Sequence, residues 1–255
     1  MIWEALRLSL LGGAGATALG ALPVGFAPRP SKLWSARLTG FAGGVMLSAA
    51  VFSLAAPALE LREEAWGPHA WTFGLVALTF FAGALMVDLI NRYVPHEHFL
   101  KGPEGSDAVH LRRMWLFVLA ITIHNFPEGM AVGVGSALGG GQANNVAIGI
   151  GLQNVPEGLV VASALWERGY PRWTAVGVGV LSGLVEPLGA LLGVGVIALS
   201  RVALPGALLF ASGAMIFVVA SEVFPESHEG GHGRTATWAA IFGFVLNMVL
   251  DVALA

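Results

Sequence analysis

Two short stretches place acids and amides inside otherwise apolar chain: HNFPEG at 124–129 and QNVPEG at 153–158. His124 and Glu128 are four residues apart, as are Gln153 and Glu157. On a helix that spacing stacks both side chains on one face, one turn apart, so each helix presents a two-point claw. Asn125 and Asn154 sit beside the first member of each claw and bring amide carbonyls to the same neighbourhood. Imidazole, amide and carboxylate together suit Zn²⁺, Fe²⁺, Mn²⁺, Co²⁺ or Cd²⁺, and with no cysteine in the chain a tight copper or structural zinc site is disfavoured. Such a mixed set can take up an ion and still release it.

The elements that must position these residues are membrane helices. Of 255 residues 56% are hydrophobic and 11% charged, a balance foreign to soluble domains. Eight apolar stretches are long enough to span a bilayer, at about 5–27, 36–58, 71–94, 113–137, 143–166, 173–199, 205–225 and 235–254. Their polar residues cluster rather than forming an outer face, which fits neither a strand-rich barrel nor a soluble bundle. The expected fold is all-α: a polytopic membrane protein, residues 1–255 forming one transmembrane domain, with kinked helices 4 and 5 at the centre of the bundle. Glu4 and the length of the first stretch read as a retained helix rather than a cleaved leader.

Counting at ~1.5 Å per residue from about 113 and 143 puts both claws roughly 15–22 Å deep, and Glu186, counted from about 173, roughly 20 Å deep. Pro127, Pro156 and Pro187 adjoin the three glutamates, and each removes a helical donor, from the carbonyls of Ile123, Leu152 and Gly183. Irregular backbone at membrane depth belongs where it lines a cavity. Carboxylates there cost several kcal/mol unless paired, protonated or neutralised, and every basic residue lies in or near a loop. A divalent cation supplies the missing charge. The competing reading makes His124, Gln153 and the asparagines interhelical hydrogen-bond partners with no ion involved.

Loops after helices 1, 3, 5 and 7 collect Arg29, Lys32, Arg37, Arg92, Lys101, Arg112, Arg113, Arg168, Arg172 and Arg234, leaving Arg7, Arg62 and Arg201 opposite. The positive-inside rule then puts both termini outside and the loop at about 95–112 in the cytoplasm, where its Pro, Gly and mixed charge read as a mobile connection. A net charge of -3 indicates no nucleic-acid partner. The expected partners are divalent metal ions and the lipid bilayer.

Asp88 and Glu222 fall about 25 Å from the external start of their helices. They read either as flanks of an exit path or as partly hydrated carboxylates bonded to backbone or Asn91. Asp251 reads as a solvated anchor at an external end. His96, His98, Glu226, His228, Glu229 and His232 gather in cytoplasmic loops and read as weak metal holders or as ordinary polar loop. Met46 reads as packing, and glycines such as those of GGAGATALG (12–20) as allowing close helix contact.

At HNFPEG and QNVPEG, with Glu186 following in SGLVEPLGA (182–190), the chain resembles the ZIP (Zrt/Irt-like protein) family of divalent metal transporters, prokaryotic branch. The resemblance implies uptake of divalent metal, Zn²⁺ foremost, into the cytoplasm across a prokaryotic inner membrane. It implies a transport site of His124, Glu128, Gln153 and Glu157, and a second position completed by Asn125, Asn154 and Glu186 through shared Glu128 and Glu157, holding one or two ions. Gln153 stands where many members carry histidine, and Asn154 where some carry aspartate. An inverted repeat relating helices 1–3 to 6–8 and a homodimer are also implied. The metal is cargo, so no catalytic cofactor and no enzyme activity are expected. A metal channel with the same ligands is the alternative, and an intramembrane metalloenzyme a weaker one, since H-E-x-x-H is absent.

Overall fold

The computed structural model describes residues 1–26, 31–93, 96–98, 102–104, 125–138, 140–167, 170–199 and 201–254. Helices dominate: α1 (Ile2–Gly25), α2 (Lys32–Trp66), α3 (Trp71–Tyr93), α4 (residues 125–135), α5 (Gly140–Glu167), α6 (Arg172–Leu199), α7 (Leu204–His228) and α8 (Gly233–Leu254). Among the described residues, seven helices are long and apolar enough to cross a membrane. They match seven of the eight expected spans. The fourth, expected at 113–137, is helical from 125 onward, and its first part lies outside the described residues. The chain is an all-α integral membrane protein.

Two helices overrun their expected ends, and one cause serves both. Pro57 and Pro225 look like stop signals, yet α2 continues to Trp66 and α7 to His228. Each proline follows a π-helical stretch, Ala49–Ala55 in α2 and Val219–Val223 in α7. The N–H of Ala56 reaches the Val51 carbonyl and that of Phe224 the Val219 carbonyl, five residues back. This slip in register takes up the donor that the proline lacks, so the helix passes through. α2 closes instead at Gly67, whose φ of 81° suits glycine, and opens at Ser31, whose side chain accepts from the Trp34 N–H.

The helices pack as two groups. In one, α2 lies along α8 and α3 along α7; in the other, α5 contacts α1 and α6, and α6 packs on α4. Glycines permit these approaches: a Cβ on Gly44 would strike the Ala240 carbonyl, one on Gly83 the Phe210 carbonyl and one on Gly20 the Val155 carbonyl. The seam runs between α2 and α5, flanked by α8. The main apolar core fills the middle with Met46, Ala49, Ala50 and Leu54 of α2, Met130, Val132 and Val134 of α4, Val146 and Ile150 of α5, and Leu208, Leu209 and Met215 of α7. Only 11% of the apolar window of α3 is buried against protein, compared with 67% of that of α2. α3 is therefore an outer helix, with Phe73, Leu78, Phe81, Leu85 and Leu89 exposed on its outward side.

The face where α1 begins and α8 ends is called the terminal face, and the other the loop face. At the loop face Arg172 donates to the Gly25 carbonyl (3.2 Å) and stacks 4.1 Å from the Trp166 ring, which ties together α1, α5 and α6. Exposed tryptophans sit near helix ends: Trp3 on α1, Trp34 on α2, Trp71 on α3, Trp173 on α6 and Trp238 on α8. Such rings favour the headgroup level. Within the loop expected to be a mobile connection, β1 (His96–His98) pairs antiparallel with β2 (Gly102–Glu104), His96 opposite Glu104.

Candidate metal centre

The site is built where α4, α5 and α6 meet. In α6 the helix breaks at 183–184: the Leu184 N–H turns to the Leu181 carbonyl (3.1 Å) and the Glu186 N–H to Gly183 (3.2 Å). In an unbroken helix that Glu186 N–H would serve the Ser182 carbonyl. The freed Ser182 carbonyl instead accepts the Asn125 side-chain amide of α4 at 3.0 Å. Asn125 is thus oriented by the break, and its Oδ1 is left for the interior. The donor Pro187 lacks is the one sequence alone predicts; the displaced carbonyl lies one residue earlier.

α5 runs through Pro156 as one helix and delivers Gln153 and Asn154 fully buried, with Glu157 half-buried. The Asn154 amide donates to Glu186 Oε1 at 2.8 Å. Glu128, wholly buried on α4, has Gln153 beside it and the carboxylates of Glu157 and Glu186 as charged neighbours. Glycines of both motifs secure this convergence. A Cβ on Gly129 would strike the Glu186 backbone, and one on Gly158 the Thr17 carbonyl. The structure therefore brings together Asn125, Glu128, Gln153, Asn154, Glu157 and Glu186. His124 lies outside the described residues.

The electrostatics of this cage are lopsided. Among the described residues, Asn125 Oδ1, both Glu128 oxygens, Gln153 Oε1, Asn154 Oδ1 and Glu186 Oε2 are buried without a well-formed hydrogen bond. Unpaired polar oxygens in an interior are costly, and carboxylates more so. The ion pairs Arg7–Glu4 and Arg62–Glu63 lie well away, towards the terminal face. A cation would satisfy oxygens from all three helices at once. Among the described residues no three His, Asp or Glu side chains form a ready chelate. The oxygens come from amides and carboxylates interleaved, which is a looser kind of ligation.

Elsewhere the structure sorts the remaining candidates. Glu222 is buried in the π-helical turn of α7 and accepts the Asn91 amide of α3. Asp88 is exposed on α3 and does not share that burial. Asp251 is more than a solvated end: its carboxylate accepts the Ser53 hydroxyl (2.7 Å), and its backbone carbonyl accepts the Asn145 amide of α5 (3.2 Å). His228 has both ring nitrogens engaged within the fold, with Phe224 O (2.8 Å), Ser227 Oγ (3.0 Å) and Thr237 Oγ1 (2.9 Å). It fastens α7 to α8. The side chains of His96 and His98 lie outside the described residues. Met46 packs in the core as expected. Sequence reasoning missed Ser182 and the lining from α1, Gly13 and Thr17; the only signal for the latter was a small-residue run.

A polytopic helical membrane protein with a buried cage of acids and amides between its helices is one equipped to handle a cation within the bilayer. The profile described as ZIP Zinc transporter matches residues 101–251. Zinc transporter ZIPB of Bordetella bronchiseptica is 46% identical over 256 residues, covering 96% of this chain and 81% of that protein. Zinc transporter GufA of Myxococcus xanthus is also 46% identical, over 98% of each. Zinc transporter ZIP11 of Homo sapiens is 34% identical, over 84% of this chain and 87% of its own length. The chain belongs to the ZIP family of zinc transporters.

Proposed function

We propose that this protein carries Zn²⁺, and with lower preference Fe²⁺, Mn²⁺ or Cd²⁺, across a prokaryotic inner membrane into the cytoplasm through the cage of α4, α5 and α6. The observation that carries the reading is the set of buried oxygens on Asn125, Glu128, Gln153, Asn154 and Glu186 that have no well-formed hydrogen bond among the described residues. The names of the relatives, all zinc transporters, support the choice of metal. His124, Glu128, Gln153 and Glu157 form the transport position; Asn125, Asn154 and Glu186 complete a second through the shared glutamates. The charge asymmetry of the loops assigns the terminal face to the outside.

An access route follows from helical spacing. Asn145, Gly149, Gln153 and Glu157 recur every four residues on α5 and make one continuous face from the terminal end to the cage. Asn247 of α8 lies against Gly149, and Asp251 with Ser53 stands at the top. A hydrated ion meets Asp251 first, then exchanges water for amide and carboxylate oxygen on the way in. Glu222 and Asn91 lie on the far side, towards the cytoplasm. Movement of the α1, α4, α5, α6 group against the other would alternate access across the seam.

The test is uptake of Zn²⁺, Fe²⁺, Mn²⁺ and Cd²⁺ into proteoliposomes by the wild type and by Glu157→Gln and Glu128→Ala. Saturable flux abolished by either change is the expected result, and accumulation against a gradient would separate a carrier from a channel. Undiminished uptake in both variants would overturn the site.

A further inference from the structure

We propose that Gly13 is a positioning residue for Glu186, so that α1, which brings no carboxylate to the cage, sets the geometry of the second cation position; this rests on the transport-site reading above. Gly13 is buried in the π-helical stretch Ser9–Gly15 of α1. A Cβ built there meets the Glu186 carboxylate before anything else: it collides with Oε2 and comes within 2.6 Å of Cδ and 3.0 Å of Oε1. The carboxylate therefore lies directly against bare backbone. In that pose Oε1 takes the Asn154 amide, and among the described residues Oε2 is buried without a well-formed hydrogen bond. Thr17, one turn on, bonds the Gly13 carbonyl (3.2 Å) and packs on Gly183 at the break of α6, where a Cβ would come 3.0 Å from Thr17 Cβ. Gly13, Thr17 and Gly183 thus make a wall that decides where the Glu186 head can rest.

The neighbouring glycine shows why this is more than close packing. A Cβ on Gly12 would come 2.6 Å from the Ala147 carbonyl oxygen, a backbone atom of α5. A side chain at Gly12 must push two helices apart, and backbone resists that. A side chain at Gly13 meets first the end of a flexible glutamate, so the ligand yields rather than the fold. One methyl group would turn the Glu186 carboxylate away from Asn154 and from the cage.

Zn²⁺ titration by calorimetry of the purified, detergent-solubilised full chain tests this, using wild type, Glu186→Gln, Gly13→Ala, Gly12→Ala and Gly13→Ala/Glu186→Asp. Gly13→Ala is expected to reproduce the Glu186→Gln isotherm, weakening one binding step on the order of tenfold while the step that depends on Gln153 persists. Adding Glu186→Asp, which retracts the carboxylate by one methylene, should restore the weakened step. Gly12→Ala should lower the melting temperature and keep the wild-type isotherm. A wild-type isotherm for Gly13→Ala, a loss that Glu186→Asp does not repair, or a Glu186→Gln isotherm identical to wild type would each overturn the proposal. Should Gly13→Ala not fold, a folded double variant supports the steric account and an unfolded one refutes it. Failure of the transport reading would appear separately, as flux retained in Glu157→Gln.

Discussion

Asn125 carries two tasks with one side chain. Its amide caps the Ser182 carbonyl freed by the break in α6, while its Oδ1 stays unpaired in the cage. Asn125→Ala should strand that carbonyl at a cost of about 1–3 kcal/mol, seen as a lower melting temperature, and should weaken Zn²⁺ binding in the same variant. At the loop-side pair the expectation differs. Asn91→Leu removes the amide that holds Glu222, which lies apart from the cage, so equilibrium Zn²⁺ binding should persist while uptake slows; unchanged uptake would remove Glu222 from the route. The convergence of Asn125, Glu128, Gln153, Asn154, Glu157 and Glu186 was legible from sequence, because spacing of four and matching depth are properties of a straight helix. The direction in which each amide points was not, since it depends on a carbonyl displaced in another helix. Asp88 illustrates the same limit: depth along α3 was countable, but the face it occupies was set by packing with α7.

For the elements, spans were readable from hydropathy because lipid demands apolar residues all round a helix. Their ends were less so. By hydropathy α2 and α7 end at about 58 and 225, beside Pro57 and Pro225, and the π turns that carry the helices past these prolines have no signature in the residue types of Ala49–Ala55 or Val219–Val223. Because the register slip already absorbs the missing donor, Pro225→Ala should change stability by no more than about 0.5 kcal/mol. Gly83→Val, by contrast, drives a side chain into the Phe210 carbonyl and should cost about 1–3 kcal/mol or more. Thermal unfolding of the two variants side by side decides the matter, and equal melting temperatures would contradict both accounts.

Across the whole molecule the seam is the feature that function would exercise. The chain holds no cysteine, so introduced pairs have no competitors. A Cβ on Gly149 of α5 would lie 3.4 Å from Ala49 Cβ of α2, close to disulfide geometry. Oxidised Ala49→Cys/Gly149→Cys should lose uptake and regain it on reduction. The pair Ala162→Cys/Gly179→Cys, also 3.4 Å by the same measure, joins α5 to α6 within one group and should leave uptake intact after oxidation. Inhibition by both pairs alike would mean that the groups do not move as units.

The placement of the tryptophans links this motion to the membrane itself. Trp3 and Trp173 belong to the α1, α4, α5, α6 group, one near each face, while Trp34, Trp71 and Trp238 belong to the other. Because such rings favour the headgroup level, each group would be moored to it independently. Sliding one past the other pulls indole rings out of register with the interface, at an energy set by hydrophobic mismatch. Bilayer thickness then acts as an effector: vesicles of graded acyl-chain length should show an optimum in Zn²⁺ uptake rate, and Trp3→Ala/Trp173→Ala should flatten it.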